Sequence, residues 1–175
     1  MTTEKVEKDE TVASNSFYAL EAETLEGEAK PLSEYDGQVT LVVNTASQCG
    51  YTPQYAKLQE LQEAYADRGF TVLAFPSGDF GGQEFDTAGE IREFCDSNYS
   101  VTFPMFAKSK VKEGEGQSPV YGFLGKASGS LPGWNFGKYL VDREGKVVAF
   151  YASPVDPMGD ELTGAIETAL DAEQG

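Results

Sequence analysis

The chain has no histidine among its 175 residues, two cysteines and a single tryptophan. The lack of imidazole excludes Ser-His-Asp and Cys-His hydrolases, haem on a His ligand and most zinc enzymes. Two thiols are too few for a disulfide-stapled scaffold or a thiolate zinc site. No run of 18 or more apolar residues occurs, so no transmembrane helix is expected. The charged start, Met1 to Glu10, lacks the apolar core of a secretory signal, which points to the cytoplasm. Basic residues are also scarce: 13 Lys and Arg stand against 29 Asp and Glu, a net charge of −16. That excludes a basic nucleic-acid footprint and opposes stable association with anionic membranes. The acidity suits plain solubility or a salt-rich cytosol in which dense like charge is screened. Ten Lys against three Arg lean away from extreme halophily.

What is present suits one globular domain with a substantial core, 40% hydrophobic and 12% aromatic. Residues 1–14 read as a flexible acidic tail and 15–172 as the folded domain. Phe17 to Glu21 reads as a short strand, followed by a turn at Glu26-Gly27-Glu28 and a loop at Lys30-Pro31-Leu32-Ser33. Val39 to Asn44 is a buried β-branched run. Tyr55, Leu58, Leu61 and Tyr65 then recur at helical spacing over 53–67, with Pro53 in the first turn and Gly69 as the stop. Phe70 to Phe75 is a second buried strand. Thr87-Ala88-Gly89-Glu90 fits a capping box that opens a helix to about Ser97. A short extended piece surrounds Pro104, and a short helix is expected over Val120 to Lys126. A hairpin is expected at Tyr139–Asp142 and Val147–Tyr151, then a helix carrying Leu162, Ile166 and Leu170. This order implies an α/β domain, a mixed sheet with helices on both faces.

Cys49 carries the chemical signal. It follows the run Leu41-Val42-Val43 within Asn44-Thr45-Ala46-Ser47-Gln48-Cys49-Gly50-Tyr51-Thr52-Pro53, just before a helix pattern starts. A thiol between a buried strand and a helix N-terminus meets oriented N–H groups and the positive end of a dipole, and both favour the reactive thiolate. Cys49-Gly50-Tyr51-Thr52 has the spacing of a C-x-x-C redox motif with threonine in the second thiol's place. Free cysteines also serve as small buried hydrophobes. Cys95, on an apolar helix face with Ile91 and Phe94, fits a core residue on spacing alone.

Three further segments sharpen the reading: Leu73-Ala74-Phe75-Pro76, Phe80-Gly81-Gly82-Gln83-Glu84 and Trp134-Asn135-Phe136. Together with the Cys49 segment, and in this order from about Phe17 to Leu170, they resemble the glutathione peroxidase family, in its cysteine-containing, thioredoxin-dependent branch. The resemblance implies a thioredoxin-like fold with an N-terminal β-hairpin. It implies that Cys49 is the peroxidatic cysteine and that Gln83, Trp134 and Asn135 complete the catalytic set. The chemistry agrees, because two amides and an indole N–H can stabilise a thiolate and the leaving peroxide oxygen without histidine. By the same resemblance Cys95 is the resolving cysteine. It would condense with the Cys49 sulfenic acid to a disulfide that a thioredoxin-like dithiol reduces. Glutathione is a less favoured reductant, since no basic cradle for it stands out.

The resemblance implies hydrogen peroxide and organic or lipid hydroperoxides as substrates, with no cofactor and no metal. The short stretch 124–133, where tetrameric members carry an insertion, implies a monomer with an open site. The chain departs from the family at Ser77-Gly78-Asp79, where Cys-Asn-Gln is usual, and at Phe85-Asp86, where Pro-Gly is usual. These changes bear on the loop that places Gln83. If Cys95 is buried in its helix, a disulfide to Cys49 needs Cα atoms within about 7 Å and hence local unwinding of 87–99. Gly89, Asp96, Ser97 and Asn98 are poor helix formers, so that helix is expected to have low local stability. Two other functions fit the same two cysteines: a peroxide sensor relaying a disulfide to a partner protein, and a non-catalytic thioredoxin-fold binding module.

Overall fold

The β-branched runs pair as the centre of a four-stranded sheet. The structure, a computed structural model, describes residues 12–172. Most of the expected tail, residues 1–11, lies outside the described residues, and Val12 already packs against the domain. β1 (Glu21–Glu23) and β2 (Ala29–Pro31) form the N-terminal antiparallel hairpin. β3 (Val39–Thr45) and β4 (Phe70–Pro76) pair in parallel. The helix α1 (Gln54–Tyr65) is the crossover that such a pair requires. β5 (Lys138–Val141) runs antiparallel on the other side of β3, and β6 (Val147–Tyr151) pairs antiparallel with β5. The sheet order is therefore β4-β3-β5-β6.

β3 and β4 are buried along their whole length, so their side chains feed two cores with a period of two. Leu41, Val43 and Val72 meet Leu58 and Leu61 of α1. The same core takes Ile91 and Cys95 of α2 (Ala88–Tyr99) and Leu162 and Ile166 of α4 (Asp160–Asp171). Val42 and Leu73 face the opposite core with Val120, Tyr121 and Leu124 of α3 (Pro119–Ser128). Burying both faces of one mixed sheet under helices is the expected layer architecture.

One expected element is corrected. Phe17–Ala19 is a 3₁₀ turn, and the strand begins only at Glu21. The Ser16 side chain accepts the Tyr18 N–H at 3.0 Å, and Phe17 and Tyr18 are both fully buried. Neighbouring residues of a strand point to opposite faces, so one turn of 3₁₀ backbone accommodates this aromatic pair better. α1 ends earlier than the pattern over 53–67 suggests, because Ala66–Arg68 tightens to 3₁₀ before Gly69 at φ 92°. α3 is longer than expected, since the Ser118 side chain caps it and Pro119 occupies its first position.

The ends of α2 decide how it sits. The capping box is present: the Thr87 hydroxyl accepts the Glu90 N–H at 3.2 Å, and the Glu90 carboxylate accepts the Thr87 N–H at 3.3 Å. The C-terminal cap is Ser100 at φ 51°, a left-handed conformation that carries a steric cost outside glycine. Just beyond it, the Gln59 side chain grips Thr102 twice. Gln59 Nε2 donates to the Thr102 hydroxyl at 2.7 Å, and Gln59 Oε1 accepts the Thr102 N–H at 2.9 Å. The extended piece around Pro104 then bonds along β4, with Ala74 N–H to Pro104 O at 3.1 Å and Phe106 N–H to Ala74 O at 2.9 Å.

Candidate active site

Cys49 lies in the turn from β3 to α1, buried with 8% of its surface exposed. Its thiol sulfur accepts the Tyr51 N–H at 3.3 Å. The turn is tied by Thr52, which replaces the second thiol of a C-x-x-C motif. The Thr52 hydroxyl donates to Ala46 O at 2.8 Å and accepts the Cys49 N–H at 2.9 Å. Threonine at this position is therefore structural: it closes the loop that a second cysteine would leave looser.

Gln83 reaches the site from the loop after β4. Its backbone carbonyl accepts the Gln48 N–H at 2.9 Å, so the loop is fastened beside Cys49. The unusual Ser77-Gly78-Asp79 stretch does not leave this loop unanchored. The Asp79 carboxylate accepts the Val111 N–H at 2.6 Å and the Lys112 N–H at 3.0 Å. Gly81 and Gly82 both have left-handed φ, 73° and 63°, and a Cβ on Gly81 would lie 3.0 Å from the Trp134 ring. The glycine pair is thus needed both for the backbone path and for the approach of the indole.

Trp134 and Asn135 come from the turn before β5. The Asn135 Nδ2 donates to Gln83 Oε1 at 3.1 Å and lies 3.4 Å from Phe80 O. With its carbonyl oxygen engaged, Gln83 keeps its Nε2 donors for other partners. Trp134 is 38% exposed and leans on Phe80 at 5.9 Å between ring centroids, at the rim of the site. The turn itself is held by Asn44, a polar residue inside the buried run of β3. Asn44 Nδ2 donates to Trp134 O at 2.9 Å, and Asn44 Oδ1 accepts the Gly137 N–H at 3.0 Å. The structure thus brings Gln83 and Asn135 into direct contact and sets Trp134 against Gly81. Cys49 is linked to them through the Gln48–Gln83 backbone bond.

Cys95 is elsewhere. It is fully buried within α2, in the same core as Cys49, and both cysteines are free thiols. Burial pushes the Cys95 thiol up to about 11, with the facing Tyr55 hydroxyl pulling the other way. In this fold state Cys95 is therefore protonated and unreactive at neutral pH. Sequence reasoning missed three supports of the site. Asn44 was visible as an amide closing an apolar run, and Thr52 as the odd member of the C-x-x-T pattern. Glu84, buried beside Gln83 and with its pKa raised by burial, carried no signal separating it from the many exposed acids.

Among solved structures, a putative thioredoxin from Neisseria meningitidis has a TM-score of 0.64 at 21% identity over 90% of this chain and 94% of its own. This likeness defines the class of fold as thioredoxin-like. A crystal structure of Trgpx in its apo form has a TM-score of 0.73 at 33% identity, covering 91% of this chain and 98% of that one. The family model described as glutathione peroxidase matches residues 17–125. A hydroperoxy fatty acid reductase of Synechocystis is 46% identical over 168 residues, 90% of this chain and 98% of its own length. A glutathione peroxidase-like peroxiredoxin of Chlamydomonas reinhardtii is 42% identical over 165 residues, 92% of this chain and all of its own. The chain belongs to the glutathione peroxidase family, and it is a thiol peroxidase. Among the described residues, no helix is long and apolar enough to cross a membrane.

Proposed function

We propose that Cys49 is the peroxidatic thiol, that Gln83, Trp134 and Asn135 serve it, and that Cys95 resolves it. The Cys49 thiolate attacks the terminal oxygen of a hydroperoxide. The O–O bond breaks, Cys49 becomes a sulfenic acid, and the other oxygen leaves as an alkoxide or hydroxide. Free amide and indole N–H groups at the site stabilise that developing oxyanion, and a proton from solvent completes the alcohol or water. α2 then unwinds locally and the Cys95 sulfur attacks the Cys49 sulfenic sulfur. The S–O bond breaks, a Cys49–Cys95 disulfide forms, and the hydroxyl leaves as water with the Cys95 proton. A thioredoxin-like dithiol reduces the disulfide and is itself oxidised.

The observation that carries this reading is the chain of bonds from Asn135 to Gln83 and from Gln83 to Gln48, the residue before Cys49. The relatives named as peroxiredoxins support a thioredoxin-type reductant. The name of the Synechocystis relative supports fatty acid hydroperoxides as substrates. The exposed Trp134 rim suits such bulky molecules, and the short connection from Ser128 to Trp134 suits a monomer.

The test is intact mass and free-thiol count before and after one equivalent of hydrogen peroxide. The expected product has lost two hydrogens and both thiols, and Cys49→Ser prevents the change. In Cys95→Ser the sulfenic acid still forms but turnover with thioredoxin stops. A stable sulfenic or sulfinic acid on Cys49 in the wild type, with Cys95 still free, would remove Cys95 from the mechanism.

A further inference from the structure

Lys138 is the most deeply buried cation of the described residues, with none of its surface exposed. It opens β5, and its register with Val43 places it on the face of the sheet that α1 covers. Its ammonium donates to Phe136 O at 2.7 Å and to Ser153 O at 3.1 Å. A lysine stem threaded through a core to reach two backbone carbonyls is an expensive arrangement. Burial pulls the Lys138 pKa down to about 7, with the nearby Asp156 pulling the other way. Two N–H donors remain even in the neutral amine, so both carbonyls stay served in either form.

What Lys138 holds is informative. Phe136 is one of two non-glycine residues with left-handed φ among those described, at 66°. It directly follows Trp134 and Asn135. A bulky residue keeps such a conformation only where its surroundings over-determine it. Two buried side chains do so here: Asn44 brackets Phe136 by bonding Trp134 before it and Gly137 after it, and Lys138 takes the carbonyl of Phe136 itself. The other acceptor, Ser153 O, also takes the Gln54 Nε2 at 2.7 Å, and Gln54 opens α1, the helix that starts just after Cys49. Among the described residues, the Lys138 ammonium is therefore the group bonded both to the turn carrying Trp134 and Asn135 and to a carbonyl that anchors the first turn of α1.

We infer that Lys138 is a positioning residue for peroxide reduction: it fixes the Trp134–Asn135 turn relative to Cys49 by bonding Phe136 O and Ser153 O together. The inference rests on the proposed roles of Asn135 and Cys49. The experiment is stopped-flow reaction of the reduced full chain with hydrogen peroxide, followed by emission of the lone Trp134. It compares wild type, Lys138→Met, Asn135→Ala and the double variant. Lys138→Met keeps the stem and removes the donors. It is expected to slow Cys49 oxidation by about tenfold or more and to shift Trp134 emission in the resting protein. The double variant is expected to be little slower than Asn135→Ala alone, because the two act through one group.

Wild-type rates in folded Lys138→Met would overturn the inference, as would losses that multiply in the double variant. Wild-type rates in Asn135→Ala would instead overturn the assignment of Asn135 and leave the Trp134 emission of Lys138→Met as the remaining readout, where no shift counts against Lys138. If Lys138→Met does not fold, Lys138→Gln, shorter but with two amide N–H donors, takes its place. It is expected to react between the wild type and Asn135→Ala, and a wild-type rate with unmoved emission again overturns the inference.

Discussion

At the scale of single residues, the site is built from backbone bonds as much as from reactive groups. Thr52 ties the Cys49 turn, Gln83 lends its carbonyl to Gln48, and Asn44 holds the Trp134 turn. Gly81 shows how little freedom is left. Gly81→Ala puts a Cβ where φ is 73° and where the Trp134 ring lies 3.0 Å away. It is expected to cost about 1 kcal/mol or more of stability from the left-handed backbone. It should also shift Trp134 emission and slow the peroxide step, while leaving alkylation of Cys49 by iodoacetamide close to wild type. Chemical unfolding and the two rate measurements check this. The residues proposed to react stand out in the sequence because thiol, amide and indole sit in short motifs. Lys138 does not: in the sequence it follows Trp-Asn-Phe-Gly as an ordinary lysine, and only the register of β5 sends it inward.

At the scale of elements, most of the fold was legible. β-branched runs, helical spacing and the capping box at Thr87 located β3, β4, α1 and α2 to within a few residues. The failure at Phe17–Ala19 came from a side-chain cap that competes with strand pairing, which periodicity does not register. α2 is the element on which the proposed cycle depends. It docks through Ile91 and Cys95 and ends on the strained Ser100, while Phe94 and Tyr99 add ring contacts to Phe85 and Tyr55. Gly89 has open space around its missing Cβ and an ordinary φ. Gly89→Ala is therefore expected to stabilise α2 by about 0.5–1 kcal/mol. If unwinding precedes disulfide formation, the variant forms the Cys49–Cys95 disulfide a few-fold more slowly, with the first oxidation step unchanged. A rapid-quench thiol count against time separates the two steps. An unchanged rate of disulfide formation would place α2 opening outside the slow path.

At the scale of the whole molecule, most charge sits outside, with Lys138 and Glu84 buried as exceptions. The sequence carries a net charge of −16, and the ion pairs seen among the described residues are exposed enough to contribute little. Lys138 and Cys95 instead make stability depend on pH from within. Lys138 titrates near 7 when folded and near its ordinary 10.5 when unfolded. The unfolded chain thus binds the extra proton above pH 7, and stability rises with pH there, by at most about 1.4 kcal/mol per unit. Cys95 works oppositely: folded it holds its proton up to about 11, so its contribution fades as pH climbs from about 9 towards 11. Urea unfolding from pH 7 to 9 is expected to show a rise that Lys138→Met abolishes. The grip of Gln59 on Thr102 has a different consequence, one of time. It stands just beyond α2, so opening of that helix can stop there and leave the sheet paired. Re-forming one such helix takes about a microsecond or less, whereas re-forming a sheet of this topology would take milliseconds or longer. In the proposed cycle, a clamp outside the moving part lets the protein reset after every peroxide without folding again.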